Sequence, residues 1–237
     1  MIEYILIISI LFLIYAFFYK QYVKDYLINQ IEFTKLNKLQ ELLNEKNPLV
    51  IHHCPQIPCV SPTTLLKTPR FETLLKDYLN KVSNTLPQSN QFETFLASET
   101  GFHAFGSVIW LKQLHNNFTS EYISSLKSKL CFGSKHMMKA TALYTILIPV
   151  DGNYMCSLIN PQFESELTNY KTITSAEQLV SHKTQVQYID VKLKLGSILI
   201  VPTHWYYIMS ESESYSYYGV FEYHEPISLL CDYLEQN

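Results

Sequence analysis

The residues of this chain that could do chemistry are its eight histidines and five cysteines, set against scattered carboxylates. Imidazole, thiolate and carboxylate are the groups that hold transition metals, and a non-haem Fe(II) centre needs two imidazoles and one carboxylate converging with positions left open. His52-His53-Cys54 with Cys59 places two imidazoles and two thiols within eight residues, the ligand types of zinc. Adjacent histidines on a strand face opposite ways, however, and the spacing matches none of the tight C-x-x-C patterns, so a structural or incidental role is expected. His136 and His204 are the remaining metal candidates, with an acid such as Asp190 or Glu222. Strand positions that differ by one residue point to opposite faces, so such a site requires a register that the sequence does not offer. Residues 202–207, Pro202 followed by Thr203, His204, Trp205, Tyr206 and Tyr207, form an aromatic rim after a strand. Trp205, Tyr206 and Tyr207 are expected to fill or cap the mouth of the fold.

Elements able to position these groups are limited by composition. At 237 residues, 47% hydrophobic and 14% aromatic, the chain can bury one sizeable core with an appendage. A net charge of -3 and the lack of any long block of like charges give no basic field, which excludes nucleic acid as an expected partner. The odd count of five cysteines without paired spacing suits reduced thiols in a cytosolic setting. Asn117-Phe118-Thr119 fits the N-glycosylation pattern, which would be used only on a lumenal face. Residues 210–218, SESESYSYY, read as a solvated turn entering an edge strand, or as a hairpin open to a partner.

Residues 4–19 carry no charge, and with the flanks at 1–2 and 22–23 the apolar stretch approaches the roughly 20 residues that span a hydrocarbon core. A transmembrane helix over 1–23 is therefore expected, contacting the bilayer through residues 4–23. It lacks the cationic start and small-residue cleavage site of a signal peptide. Lys20, Lys24, Lys35 and Lys38 follow it and only Glu3 precedes it, so the positive-inside rule places the C-terminal body on the cytoplasmic side.

No Gly or Pro interrupts the chain from Lys20 to Pro48, and Tyr22, Tyr26, Ile31, Leu36, Leu39 and Leu43 recur at helical spacing. This predicts a helical stalk over 24–47 and a folded domain over 48–237. Within the domain, 49–52 is expected as a strand, 64–82 as a helix, 92–97 and 103–111 as strands, and 119–130 as a short helix. Short β-branched or aromatic runs then follow at 140–150, 154–159, 185–195, 197–201, 206–210 and 214–223, punctuated by Asp151-Gly152-Asn153, Asn160-Pro161 and Gly196. Helices followed by a meander of strands imply an α+β class.

Three segments carry a resemblance. NPLVIH at 47–52 resembles the opening strand, LIPVDGNYMCSLINP at 147–161 the strand-turn-strand with a central Gly, and LGSILIVPTHWYY at 195–207 the leucine-glycine turn, apolar strand, Pro and rim of cupin-like or Jumonji-type hydroxylases. The resemblance implies a double-stranded β-helix, a cupin or jelly-roll-like domain with flanking helices, and in active members an Fe(II) held by a His-x-Asp or His-x-Glu pair and a distant His, with 2-oxoglutarate. Counting from Gly152, the pair falls near Lys139-Ala140-Thr141. Counting from Pro202, the last His falls at Tyr206 or Tyr207, and Tyr154 stands where a 2-oxoglutarate-gripping Lys often follows the Gly. No catalytic residue, metal or cofactor is therefore expected. The chain reads as a membrane-anchored module that has lost its metal site and that a protein partner could engage; the alternative is a divergent, membrane-tethered Fe(II)/2-oxoglutarate hydroxylase. Richness in Ile, Lys, Asn and Tyr resembles proteins of AT-rich genomes, and tethered members of this kind resemble those of large DNA viruses, which implies a virion or internal-membrane location.

Overall fold

A computed structural model of the chain describes residues 2–20, 26–55, 90–108, 124–167, 172–181, 186–211, 216–226 and 228–230. The helix expected over 64–82, Cys59 and the 117–119 triplet lie outside them. The first element, α1 (Ile2–Lys20), is a helix of 19 residues. Ile5, Leu6, Ile7, Ile8, Leu11 and Leu13 are each more than half exposed, so apolar side chains project on every side of it. Among the described residues no helix is long and apolar enough to cross a membrane. The charges of Glu3 and Lys20 bound α1, and the 16 uncharged residues between them make about 24 Å of helix against a hydrocarbon core of about 30 Å.

The continuous helix expected from residue 20 to 46 does not form over its described part. Strand β1 (Asn29–Glu32) instead pairs in parallel with β2 (Leu49–His52), from Asn29 opposite Leu49 to Glu32 opposite His52. A 3-10 segment (Phe33–Lys38) and helix α2 (Leu39–Asn44) make the return crossover that a parallel pair requires. The apolar stripe read from the sequence is real, but it folds back onto the sheet in short pieces: Leu39 and Leu43 are buried, with Ile31, Phe33 and Leu36 packed beside them. Strand pairing overrode a local pattern with no Gly or Pro to announce the break. Residues 26–46 thus belong to the domain and are not a stalk.

Eight more strands follow: β3 (Ser125–Phe132), β4 (Met138–Lys139), β5 (Tyr144–Asp151), β6 (Tyr154–Ile159), β7 (Tyr188–Leu193), β8 (Ile198–Pro202), β9 (Tyr206–Glu211) and β10 (Tyr217–His224). They form a six-stranded sheet, β1-β2-β8-β5-β10-β3, and a four-stranded sheet, β4-β9-β6-β7. Every pairing except β1 with β2 is antiparallel. Between the sheets lies one core that includes Val50, Leu147, Leu158, Leu199, Trp205, Tyr207 and Val220. Six of the eight β5 residues are buried, as a central strand covered on both faces must be.

Outer layers complete the fold. Helices α3 (Asn90–Glu99) and α4 (Phe102–Gly106) cover the large sheet. Phe102 stacks on Phe221 with ring centroids 4.3 Å apart, and this is possible because Gly219 has no side chain: a Cβ there would lie 1.8 Å from the Phe102 ring. Helices α5 (Glu164–Leu167) and α6 (Ala176–Ser181) carry Leu167, Ala176 and Leu179 onto the small sheet against Ile159 and Ile208. The molecule is therefore α+β, as expected.

Some expectations are corrected. Residues 92–97 are helical, because Phe92, Glu93, Leu96 and Ala97 make one buried helical face; residues 103–106 are likewise helical in α4. The helix expected over 119–130 is strand β3 where described. Its apolar residues Leu126 and Leu130 face α3, while Lys127, Lys129 and Cys131 take the opposite face. Lys129, half-buried on an edge strand, also discourages pairing with another chain.

Deleting residues 1–25 is expected to leave the domain folded. Deleting residues 1–47 removes the burial of Leu39 and Leu43, worth about 1.5–3 kcal/mol each, and bares the edge of β2. Thermal unfolding of the two truncated chains checks this; equal midpoints would contradict the packing of β1 and α2.

Candidate functional site

Strand register brings Lys139 and the rim residues Trp205, Tyr206 and Tyr207 to one end of the sheets, here called the mouth. Tyr223 pairs with Tyr144, which pairs with Pro202, and Lys139 pairs with Tyr206, which pairs with Ile159 opposite Tyr188. Because side chains alternate, each pair of neighbours divides between the core and the outer face. Met138 and Ala140 face the core with Tyr207. Met138 is the register partner of Tyr207, whose hydroxyl lies 3.9 Å from the Met138 sulfur. Lys139 and Tyr206 face outward, where both bond to one oxygen of Glu164, at 2.8 and 3.0 Å. The Lys139 bond and charge, with the Tyr206 hydroxyl and nearby His204, hold the Glu164 carboxyl below its ordinary range.

The iron centre implied by the resemblance would therefore have to use positions 138, 140 and 207, one residue away from the count that began at Lys139. A thioether, a methyl and a phenol stand there. Burial raises the Tyr207 hydroxyl well above a phenol's usual pKa, so at neutral pH it offers no phenolate. These groups do not fit Fe(II), which requires imidazole and carboxylate. Trp205 and Tyr207, both buried, fill this end of the core, and Tyr154 and Tyr218, also buried, pack edge-on at 4.9 Å toward its other end.

The individual candidates are dispersed. His136 is exposed, and its Nδ1 donates to the Thr172 carbonyl at 2.7 Å. His204 occupies the turn before Trp205 in a left-handed conformation, φ 72°, and its N–H donates to the Ala140 carbonyl at 2.7 Å. Asp190 is exposed and accepts from Ser157 Oγ at 2.5 Å. At the opposite end, His53 leaves the strand with φ 59°, so its ring lies beside that of His52, centroids 6.4 Å apart. Burial pushes the neighbouring Cys54 thiol up to about 12, which keeps it protonated and unsuited to zinc. Among the described residues no three His, Cys, Asp or Glu side chains converge on a metal site. Of the rim residues, Trp205 and Tyr207 are core and Tyr206 is half-buried.

What the residue patterns missed is an ionic network flanking the core. Glu222 and His224 occupy alternate positions of β10, on the same face as Val220, and Lys129 comes from β3 on one side. Lys129 Nζ donates to Glu222 Oε1 at 2.6 Å. His224 is fully buried, with Nε2 4.0 Å from Glu222 Oε2, within ion-pair range, and among the described residues neither ring nitrogen has a hydrogen-bond partner. Burial alone would raise the Glu222 carboxyl, but His224 and the Lys129 ammonium more than offset this and hold it below its ordinary value. Burial likewise opposes the charge of Lys129, and Glu222 overcomes it to raise the ammonium. A second ion pair, Lys135 with the buried Glu93 of α3, lies close enough for Glu93 to bond the Cys131 thiol. Only the alternation within the last strand, Glu222 and His224 two residues apart, could have signalled this network.

Against known proteins, the chain matches no family model and no curated protein.

Removing one partner of a buried pair leaves the other charge uncompensated, which costs about 3–5 kcal/mol. Glu222→Gln should therefore lower the unfolding midpoint by roughly 6–20 °C, while Lys129→Met combined with Glu222→Leu should recover most of the loss. The folded pKa of Glu222 is depressed, so its contribution is present above the ordinary value of 4.5 and disappears as pH falls through the folded value. Wild-type stability should drop over that acid range more steeply than that of Glu222→Gln, in chemical denaturation followed against pH.

Proposed function

We propose that this chain is a single-pass, membrane-anchored protein whose cupin- or Jumonji-like domain has lost its metal site and serves as a structural or interaction module. The carrying observation is the set Met138, Ala140 and Tyr207 at the core positions where an iron triad would have to stand. A double-stranded β-helix is favoured by the eight strands β3–β10, antiparallel throughout and split into β8-β5-β10-β3 and β4-β9-β6-β7, the count and layering of a jelly roll. Anchoring is favoured by the exposed leucines and isoleucines of α1, which water would not tolerate on all sides. Its uncharged span is a few ångströms short of the hydrocarbon core, a mismatch met by local thinning of the bilayer. Lys20, Lys24, Lys35 and Lys38 favour a cytoplasmic body, and a virion or host internal membrane is the compartment that the composition favours.

Metal content tests the functional reading. The full chain, purified in detergent with Fe(II) and 2-oxoglutarate, should carry iron far below one atom per chain; stoichiometric iron abolished by His136→Ala or His204→Ala would establish the hydroxylase alternative. The fold assignment has its own test. Met138→His with Ala140→Asp and Tyr207→His rebuilds a facial triad, so this variant should give a Co(II) absorption band that the parent lacks. A folded triple variant that binds no Co(II) would refute the positional assignment.

A further inference from the structure

Only five residues, 21–25, separate the end of α1 at Lys20 from Tyr26, and a fully extended chain crosses those six Cα steps in about 20 Å. Tyr26 is fixed to the mouth. Its hydroxyl donates to the Gln187 carbonyl at 2.9 Å, and its ring meets Trp205 edge-on at 6.3 Å and Phe163 at the same distance. The point where the tether joins the domain is thus the end that holds Trp205, Tyr206, Lys139 and Tyr188. The other end, with the Leu195-Gly196 turn and His53, lies a full strand length further on, roughly 20 Å for six residues.

We infer that the domain sits mouth-down on the bilayer, with Tyr26, Leu27 and the 203–206 turn against a zwitterionic lipid headgroup surface. This rests on the anchor reading. Leu27, next to the fixed Tyr26, is 57% exposed and so is available to lie among headgroups at the tethered end. Tyr26 and Tyr206 beside it are half-buried aromatics with hydroxyls, the side chains that favour the membrane interface. Charge selects the lipid. The mouth surface itself presents Lys139 bonded to Glu164, a pair whose signs cancel and add no field of their own for anionic lipid. This end of the sheets is thereby turned toward the membrane, away from the surrounding solution.

The full chain in phosphatidylcholine vesicles doped with headgroup-nitroxide lipid tests this. A fluorophore is attached to Leu27→Cys or to Leu195→Cys, the latter 47% exposed at the far end, and the parent chain's signal is subtracted. Label at position 27 should be quenched at least threefold more than label at 195, and added phosphatidylserine should leave the ratio unchanged. Equal quenching at both positions, with the chain retained after alkaline carbonate extraction, overturns the orientation and leaves the anchor standing. Loss of the chain to the supernatant overturns both. Quenching that appears only with phosphatidylserine overturns the choice of lipid, and shielding of position 27 without quenching indicates a protein occupant and overturns the lipid surface.

Discussion

The pairing of Met138 with Tyr207 across β4 and β9 is the constraint on which the character of this domain depends. A two-residue strand has little freedom: once Met138 opposes Tyr207, Lys139 must go outward to Glu164 and Ala140 must go inward beneath Trp205. A slip of one residue would bring an ammonium into the core and leave a thioether in water. The cost of burying an isolated charge, many kcal/mol, fixes the register more firmly than the few ladder bonds of β4. The lack of an iron-binding set at 138, 140 and 207 follows from that choice, because a thioether, a methyl and a phenol stand there.

Charges then occupy the flank of the core rather than its centre. β3 is an edge strand that half-buries Lys129, and the large sheet can tolerate this only because Glu222 meets Lys129. Glu93 of α3 meets Lys135 in the same way, so a helix packed on the outside of the large sheet also helps to close its edge. His224 is the exception, buried without a hydrogen bond beside a carboxylate already committed to Lys129. The balance of signs, not their number, lets the pairs persist in a setting that would expel any of them alone.

The strands of the second half were legible because each is short, β-branched or aromatic and closed by its own turn: 154–159 was bounded to the residue, and Asn160-Pro161 and Gly196 stand where the chain reverses. The first half was less legible for a physical reason. Residues 26–46 and 125–130 have helical spacing, yet their partners, β2 and β10, lie far away in sequence, and pairing at a distance leaves no local mark. The reverse holds at 92–97, where Phe92, Phe95 and Leu96 look strand-like and the helix emerges only through what it covers. The site was half readable. The absence of imidazole and carboxylate near 138–141 and at 206–207 could be seen, but which member of each neighbouring pair turned inward required the register.

One further consequence belongs to β1. Because it lies parallel to β2, a force entering from the leader reaches Asn29 along the strand axis and strains the ladder to β2 in shear, several bonds at once, instead of unzipping them singly. Tyr26, held to Gln187 and Trp205 three residues before Asn29, gives that load a fixed point of entry at the same end of the sheets.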